Sequence, residues 1–226
     1  MFLITETWKK TYPGAAAGVL AVSQVANPEG HTLLDERKGA LENELRQRYS
    51  GYDRPALREL PILKAYHAYY KRFEKTYHVQ LQLESLVFKD KPIPRVAALV
   101  ECMFMSELKN LLLTAGHDGD SLALPLRLDV ATGDERYTLY NGQEQALKPG
   151  DMYIADSQGV ISSVIYGPDE RARIRPGTQR AVFTVYAPPG IGQGAIWEHL
   201  RDIEANIRLV APQATTEMMQ VYLADG

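Results

Sequence analysis

The stretch Ala97-Ala98-Leu99-Val100-Glu101-Cys102-Met103-Phe104-Met105-Ser106-Glu107-Leu108-Lys109-Asn110-Leu111-Leu112-Leu113 divides the chain into two halves of different character. It is apolar on most sides, which predicts a core helix over 97–113 buried all round. Lys91-Pro92-Ile93-Pro94 stops whatever precedes it. Upstream, helical spacing dominates. Leu33, Leu34, Ala40, Leu41 and Leu45 recur among charges from Thr32 to Tyr49, with Thr32 as the expected N-cap and Gly51 as the stop. Pro61 suits a first helical residue, with a helix expected to about Thr76. Glu84 to Lys89 reads as a further helical turn. At the very start, Phe2 to Ile4 and Ala15 to Val25 read as strands on either side of the turn Tyr12-Pro13-Gly14.

Downstream of Gly116 the pattern becomes β-rich. Leu124–Val130, Arg136–Tyr140, Gln143–Leu147, Met152–Ala155, Val160–Tyr166 and Ala181–Ala187 are short runs separated by Asn141-Gly142, Lys148-Pro149-Gly150 and Pro176-Gly177. Asn-Gly between two such runs predicts a tight hairpin with positive φ at both central residues. A helix over Ala195–Leu209 and a strand over Glu217–Leu223 close the chain. Helices crowd the first half and strands the second. The expectation is an α+β fold with a helical N-terminal half around a mixed, mostly antiparallel sheet. No linker, repeat or low-complexity tract interrupts it, so residues 1–226 read as a single domain.

With 226 residues, 45% of them hydrophobic and 23% charged, the chain has the composition of a globular protein with a sizeable core. A single cysteine, Cys102, excludes an intrachain disulfide and a cysteine-rich metal site, and it fits a reducing, cytoplasmic setting. Met1-Phe2-Leu3-Ile4-Thr5-Glu6 does not read as a signal peptide, and no apolar run has the length of a membrane helix. The net charge of -3 argues against broad, nonspecific nucleic-acid binding but leaves room for a local basic patch.

Five features bear on chemistry. His117-Asp118-Gly119-Asp120 reads either as an acid/base or metal cluster or as a turn in which Asp118 caps the backbone. No second histidine or cysteine lies near it, so no metal or other cofactor is expected. In Lys64–Tyr77, Tyr66, Tyr69, Tyr70 and Phe73 share one helical face, and Lys64, Lys71 and Lys75 share another. That is either an RNA surface or an amphipathic helix with a solvated basic side. Arg171, Arg173 and Arg175, with Arg180 nearby, would form a row able to grip phosphate if the segment is extended, or else a solvated loop. Gly190-Ile191-Gly192-Gln193-Gly194 precedes a helix but lacks the residues of a phosphate-binding loop, so it reads as a connection. Cys102 reads as a core thiol, and Glu101 requires a partner, for which Arg95 is one candidate.

Ile93-Pro94-Arg95-Val96-Ala97-Ala98-Leu99-Val100-Glu101, followed by Ala115-Gly116-His117-Asp118 seventeen residues after Glu101, resembles the editing domain of phenylalanyl-tRNA synthetase beta subunits. There a proline-led helix runs on to a histidine–aspartate corner. Leu126–Ala131, Tyr137–Gly142, Leu147–Asp156 and Thr178–Thr184 match that domain's later strands in order, and the resemblance is best over residues 92–187. It implies an editing-domain-like fold, a tRNA or aminoacyl-tRNA partner, and a role in translation fidelity as a free-standing relative. It also implies a substrate pocket at Met103, Phe104, Ala115, Ser162, Ser163 and Thr184, with Arg171, Arg173, Arg175, Lys71 and Lys75 as the RNA-binding residues. Met103-Phe104 stand at the family's threonine-asparagine pair, Ala115 at its pocket histidine and Thr184 at the glutamate that reads the tyrosine hydroxyl. A site without those polar groups loses its means of selecting that hydroxyl. The readings left open are a trans-acting deacylase of a mischarged tRNA other than a tyrosyl one, a non-catalytic module binding RNA or an amino acid, and a nucleotide-binding protein.

Overall fold

A computed structural model describes residues 1–225. In chain order its elements are β1 (Phe2–Ile4), α1 (Glu6–Thr11), β2 (Ala16–Ser23), α2 (Thr32–Arg48), α3 (Arg54–Arg58), α4 (Pro61–Lys71), α5 (His78–Lys89) and α6 (Ala98–Asn110). There follow β3 (Thr114–Asp118), a 3-10 turn (Gly119–Ser121), β4 (Leu126–Val130), β5 (Arg136–Thr138), β6 (Glu144–Ala146), β7 (Met152–Asp156), β8 (Gly159–Ser163), β9 (Gly167–Pro168), β10 (Arg180–Ala187), α7 (Gln193–Val210) and β11 (Thr215–Leu223).

The class is α+β, as expected. The strands, however, divide among two larger sheets and a small hairpin rather than forming one sheet. The first sheet runs β1-β4-β7-β8-β9, with β1 parallel to β4 and the other pairs antiparallel. The second is fully antiparallel in the order β11-β2-β10-β3. The hairpin is β5-β6. Residues Ala16–Val22 of β2 are buried without alternation, because the strand is central and both of its faces are covered. On one face lies α7, whose Ile196, Leu200, Ile203 and Ile207 are fully buried at helical spacing. A Cβ on Gly18 of β2 would stand 2.6 Å from Ile196 Cγ2, so glycine sets how closely helix and sheet approach.

The core helix is shorter than its apolar run. It ends at Asn110 because Leu111 adopts φ 60°, and its N–H bonds back to Glu107 O at 2.7 Å. Leu111–Leu113 are then spent on a turn into β3, where a longer helix was expected. Two buried tyrosines of the first half pin that turn. Tyr77 Oη donates to Leu111 O at 3.1 Å, and Leu113 N donates to Tyr66 Oη at 2.9 Å. Glu101 of α6 is partnered across the core. Lys38 of α2 reaches Glu101 at 2.7 Å, and Val96 N donates to the other Glu101 oxygen. Arg95, the partner considered from sequence, instead pairs with Asp35.

Other boundaries moved for local reasons. His31, not Thr32, sits at the N-cap of α2. Helix α4 stops at Lys71, and α5 is a full helix rather than a turn. At the hairpin only Gly142 has positive φ. Leu139 N bonds to Gln143 O at 2.8 Å, which leaves Tyr140-Asn141-Gly142 as a three-residue loop in place of a two-residue turn.

Candidate functional site

A cleft of about 740 Å³ opens where α6 meets β3 and the loops that follow β8 and β9. That is within the usual size range of small-molecule sites. Helix α6 supplies Val100, Met103, Phe104 and Glu107, which share one face by their three- and four-residue spacing. Strand β3 supplies Thr114, Ala115 and Gly116. A Cβ on Gly116 would lie 2.9 Å from Ile174 Cδ1 and 3.3 Å from Met103 Sδ, so the glycine keeps the floor open. The walls are mostly apolar, and Tyr140, exposed at the hairpin tip, reaches the rim.

Of the six pocket residues expected from the resemblance, Met103, Phe104, Ala115 and Ser163 lie on the cleft wall. Ser162 and Thr184 are fully buried behind it. Ser162 Oγ lies 2.5 Å from Tyr186 Oη and 3.4 Å from His117 Nε2, and Tyr186 itself reaches the cleft. Thr184 Oγ1 donates to Ala115 O at 3.5 Å. His117 is fully buried, and burial, then Arg171, pushes its pKa down to about 4. It is therefore a neutral core histidine. Asp118 accepts from Asp120 N and caps the 3-10 turn. Among the described residues no three His, Cys, Asp or Glu side chains gather as a metal set.

The arginines do not form one row. Asp169 accepts from Arg171 N and turns the chain, so the segment is not extended. Arg171 is consumed inside the fold, forking onto Asp156 at 2.8 and 3.0 Å and onto Ser121 O. Arg175 is exposed and shares a shallow depression with Arg171. Arg173 alone turns to the cleft. Its backbone bridges to His117, and Ala172 O accepts from Asp118 N at 2.8 Å, so the loop is zipped to the end of β3. Among the described residues the Arg173 side chain has no ion-pair partner. Lys71 and Lys75 are exposed and do not line the cleft. Their tyrosine neighbours are core: Tyr66 donates to Tyr186 O, Tyr69 to Asp151 and Tyr70 to Val164 O.

Sequence reasoning passed over Glu107, Tyr140 and Tyr186. Glu107 is 1% exposed; its Oε1 accepts from Thr114 N at 2.7 Å, and its Oε2 has no partner. Burial raises its pKa to about 8, so it is largely protonated at neutral pH. A strongly shifted acid in a cleft wall marks a functional candidate. The available signal was a second acid in an otherwise apolar helix. Cys102 is buried, and burial holds its thiol in the protonated form.

No protein-family model matches the sequence, and no curated protein does. Among solved structures, the fold is similar to an N-terminal fragment of the phenylalanyl-tRNA synthetase beta-subunit from Pyrococcus horikoshii, at a TM-score of 0.48 and 11% identity. The match covers 98% of this chain and 50% of that one, so the chain spans half the length of the fragment. The relationship is structural and distant.

Proposed function

We propose that the protein holds the aminoacyl end of a charged tRNA in this cleft and hydrolyses it in trans, acting in the cytoplasm on an amino acid other than tyrosine. The observation that carries this reading is the joining of Met103, Phe104, Ala115 and Ser163 in one apolar cleft with an unpaired arginine, Arg173, at its edge. The apolar walls suit an apolar side chain. Arg173 suits a phosphate, and Tyr140 offers a ring for a base to stack on. In the reaction, water adds to the ester carbonyl, the bond to the ribose oxygen breaks, and the amino acid leaves as a free acid while the RNA regains its hydroxyl. The protein's part is to position that water and shield the site, with the neighbouring ribose hydroxyl carrying the proton.

A second reading, a non-catalytic module that binds RNA or an amino acid, is favoured by one detail. Ser163 Oγ accepts from Tyr166 N, and the cleft histidine, His78, lies against Tyr70 Oη instead, so no serine–histidine pair is assembled in the wall. Filter binding with charged and uncharged tRNA, with ester loss followed in parallel, separates the two. The first reading expects faster ester loss for at least one apolar aminoacyl-tRNA, and Arg173→Ala weakens binding with a shallower salt dependence. Tight binding that protects the ester would establish the second reading instead.

A further inference from the structure

We propose that Glu107 anchors the primary ammonium group of the ligand in the cleft, its unpartnered Oε2 accepting the ammonium's hydrogen bond. This rests on reading the cleft as the aminoacyl site. The geometry singles this side chain out. Its Oε1 is fixed by Thr114 N, which locks the carboxyl in orientation. Its Oε2 is buried with nothing to bond, and the residue lines the cleft. Three tyrosine hydroxyls that feel its charge cannot help. Tyr66 donates to Tyr186 O, Tyr70 to Val164 O and Tyr77 to Leu111 O, so each hydrogen is already committed to a backbone carbonyl. These three tyrosines feel the Glu107 charge, and each is itself held protonated by burial. His78, Arg173 and the tyrosines Tyr140, Tyr166 and Tyr186 are the other ionisable groups on the cleft.

A buried acid with one oxygen unmatched is costly unless a ligand completes it. An ammonium does so with a charge-assisted bond. In the empty site the raised pKa keeps the acid neutral and avoids an unpaired buried charge. When the ammonium arrives, the carboxyl gives its proton to solvent and becomes the matching anion. The class selected is therefore an aminoacyl group with a free α-amine, and N-blocked residues are rejected.

The test uses the full protein and small probes that cannot be hydrolysed as esters. L-Leucinamide, L-methioninamide and L-phenylalaninamide are each paired with the N-acetyl counterpart. Binding is read from the methyl resonance of Met103, one of six methionines. At least one free amine should shift that resonance and bind about tenfold or more tightly than its N-acetyl form, as expected for a hydrogen bond to a charged group. In Glu107→Gln, which keeps the acceptor for Thr114 N, that preference should collapse to about twofold or less, a residual of the size expected once the charged bond is gone. Equal binding of amine and N-acetyl forms would overturn the ammonium anchor and leave the cleft reading standing. No shift of Met103 by any pair would overturn both. Should Glu107→Gln fail to fold, the comparison within the native protein still decides.

Discussion

Glu107 also makes the protein's stability depend on pH, and the sign can be worked out. Its folded pKa, about 8, lies above the ordinary 4.5, so its contribution is full at low pH and is lost as pH rises through 8. Asp151, raised to about 6 chiefly by burial, acts in the same direction but is spent by about pH 6. His117 and His199 are both depressed to about 4 by burial, so their contribution is present above 6.5 and is lost as pH falls through 4. Between about pH 6.5 and 8 Glu107 therefore acts with little interference. Urea unfolding across that window should show stability falling by up to about 1.4 kcal/mol per pH unit. Glu107→Gln should flatten that limb and leave the slope below about pH 4.5 unchanged. An unchanged slope in the variant would show that the carboxyl is ionised in the fold. Glu107 was hard to read from sequence, since an acid on an apolar helix marks a buried site without showing which of its oxygens finds a partner.

At the scale of elements, two contacts seat helices on the core. Glu101 on α6 is 2% exposed and tied to Lys38 of α2. Removing one partner of a buried pair strands the other, so Lys38→Met should cost about 3–5 kcal/mol in chemical denaturation. The double variant with Glu101→Leu should recover most of that loss, and additive losses would contradict the pairing. Gly18→Ala should cost about 1–3 kcal/mol, because the added methyl meets Ile196 and pushes α7 off β2. The elements themselves were largely legible, because periods of 3.6 and 2 residues survive in a buried sequence. Their ends were less so. The stop of α6 is a left-handed leucine held by tyrosines more than 30 residues away in sequence, and local propensity carries no trace of that. The arginine segment alternates like a strand, yet Asp169 turns it, so Arg171 goes inward and Arg173 goes to the cleft.

Across the whole molecule, the α+β class followed from where helical and strand periodicity lie in the chain. The division into two sheets did not, because it depends on β1 and β2 travelling to separate partners more than 100 residues away. The cleft draws on residues from His78 to Tyr186, and four of its wall residues were named from the ordered resemblance. Ser162 and Thr184 lie one layer deeper: Ser162 alternates with the wall residue Ser163, whereas Thr184 shares a strand face with Ala115 and Tyr186 and is fully buried there.

The central claim is that this cleft receives and discharges an aminoacyl group. The most direct measurement is ester loss from a panel of charged tRNAs, comparing the native protein with Ala115→Trp, whose indole would fill the cleft. The account predicts that at least one apolar aminoacyl-tRNA is discharged faster than the uncatalysed background, and that the variant, still folded, returns that rate to background. No acceleration for any charged tRNA, or acceleration that Ala115→Trp leaves untouched, would contradict it.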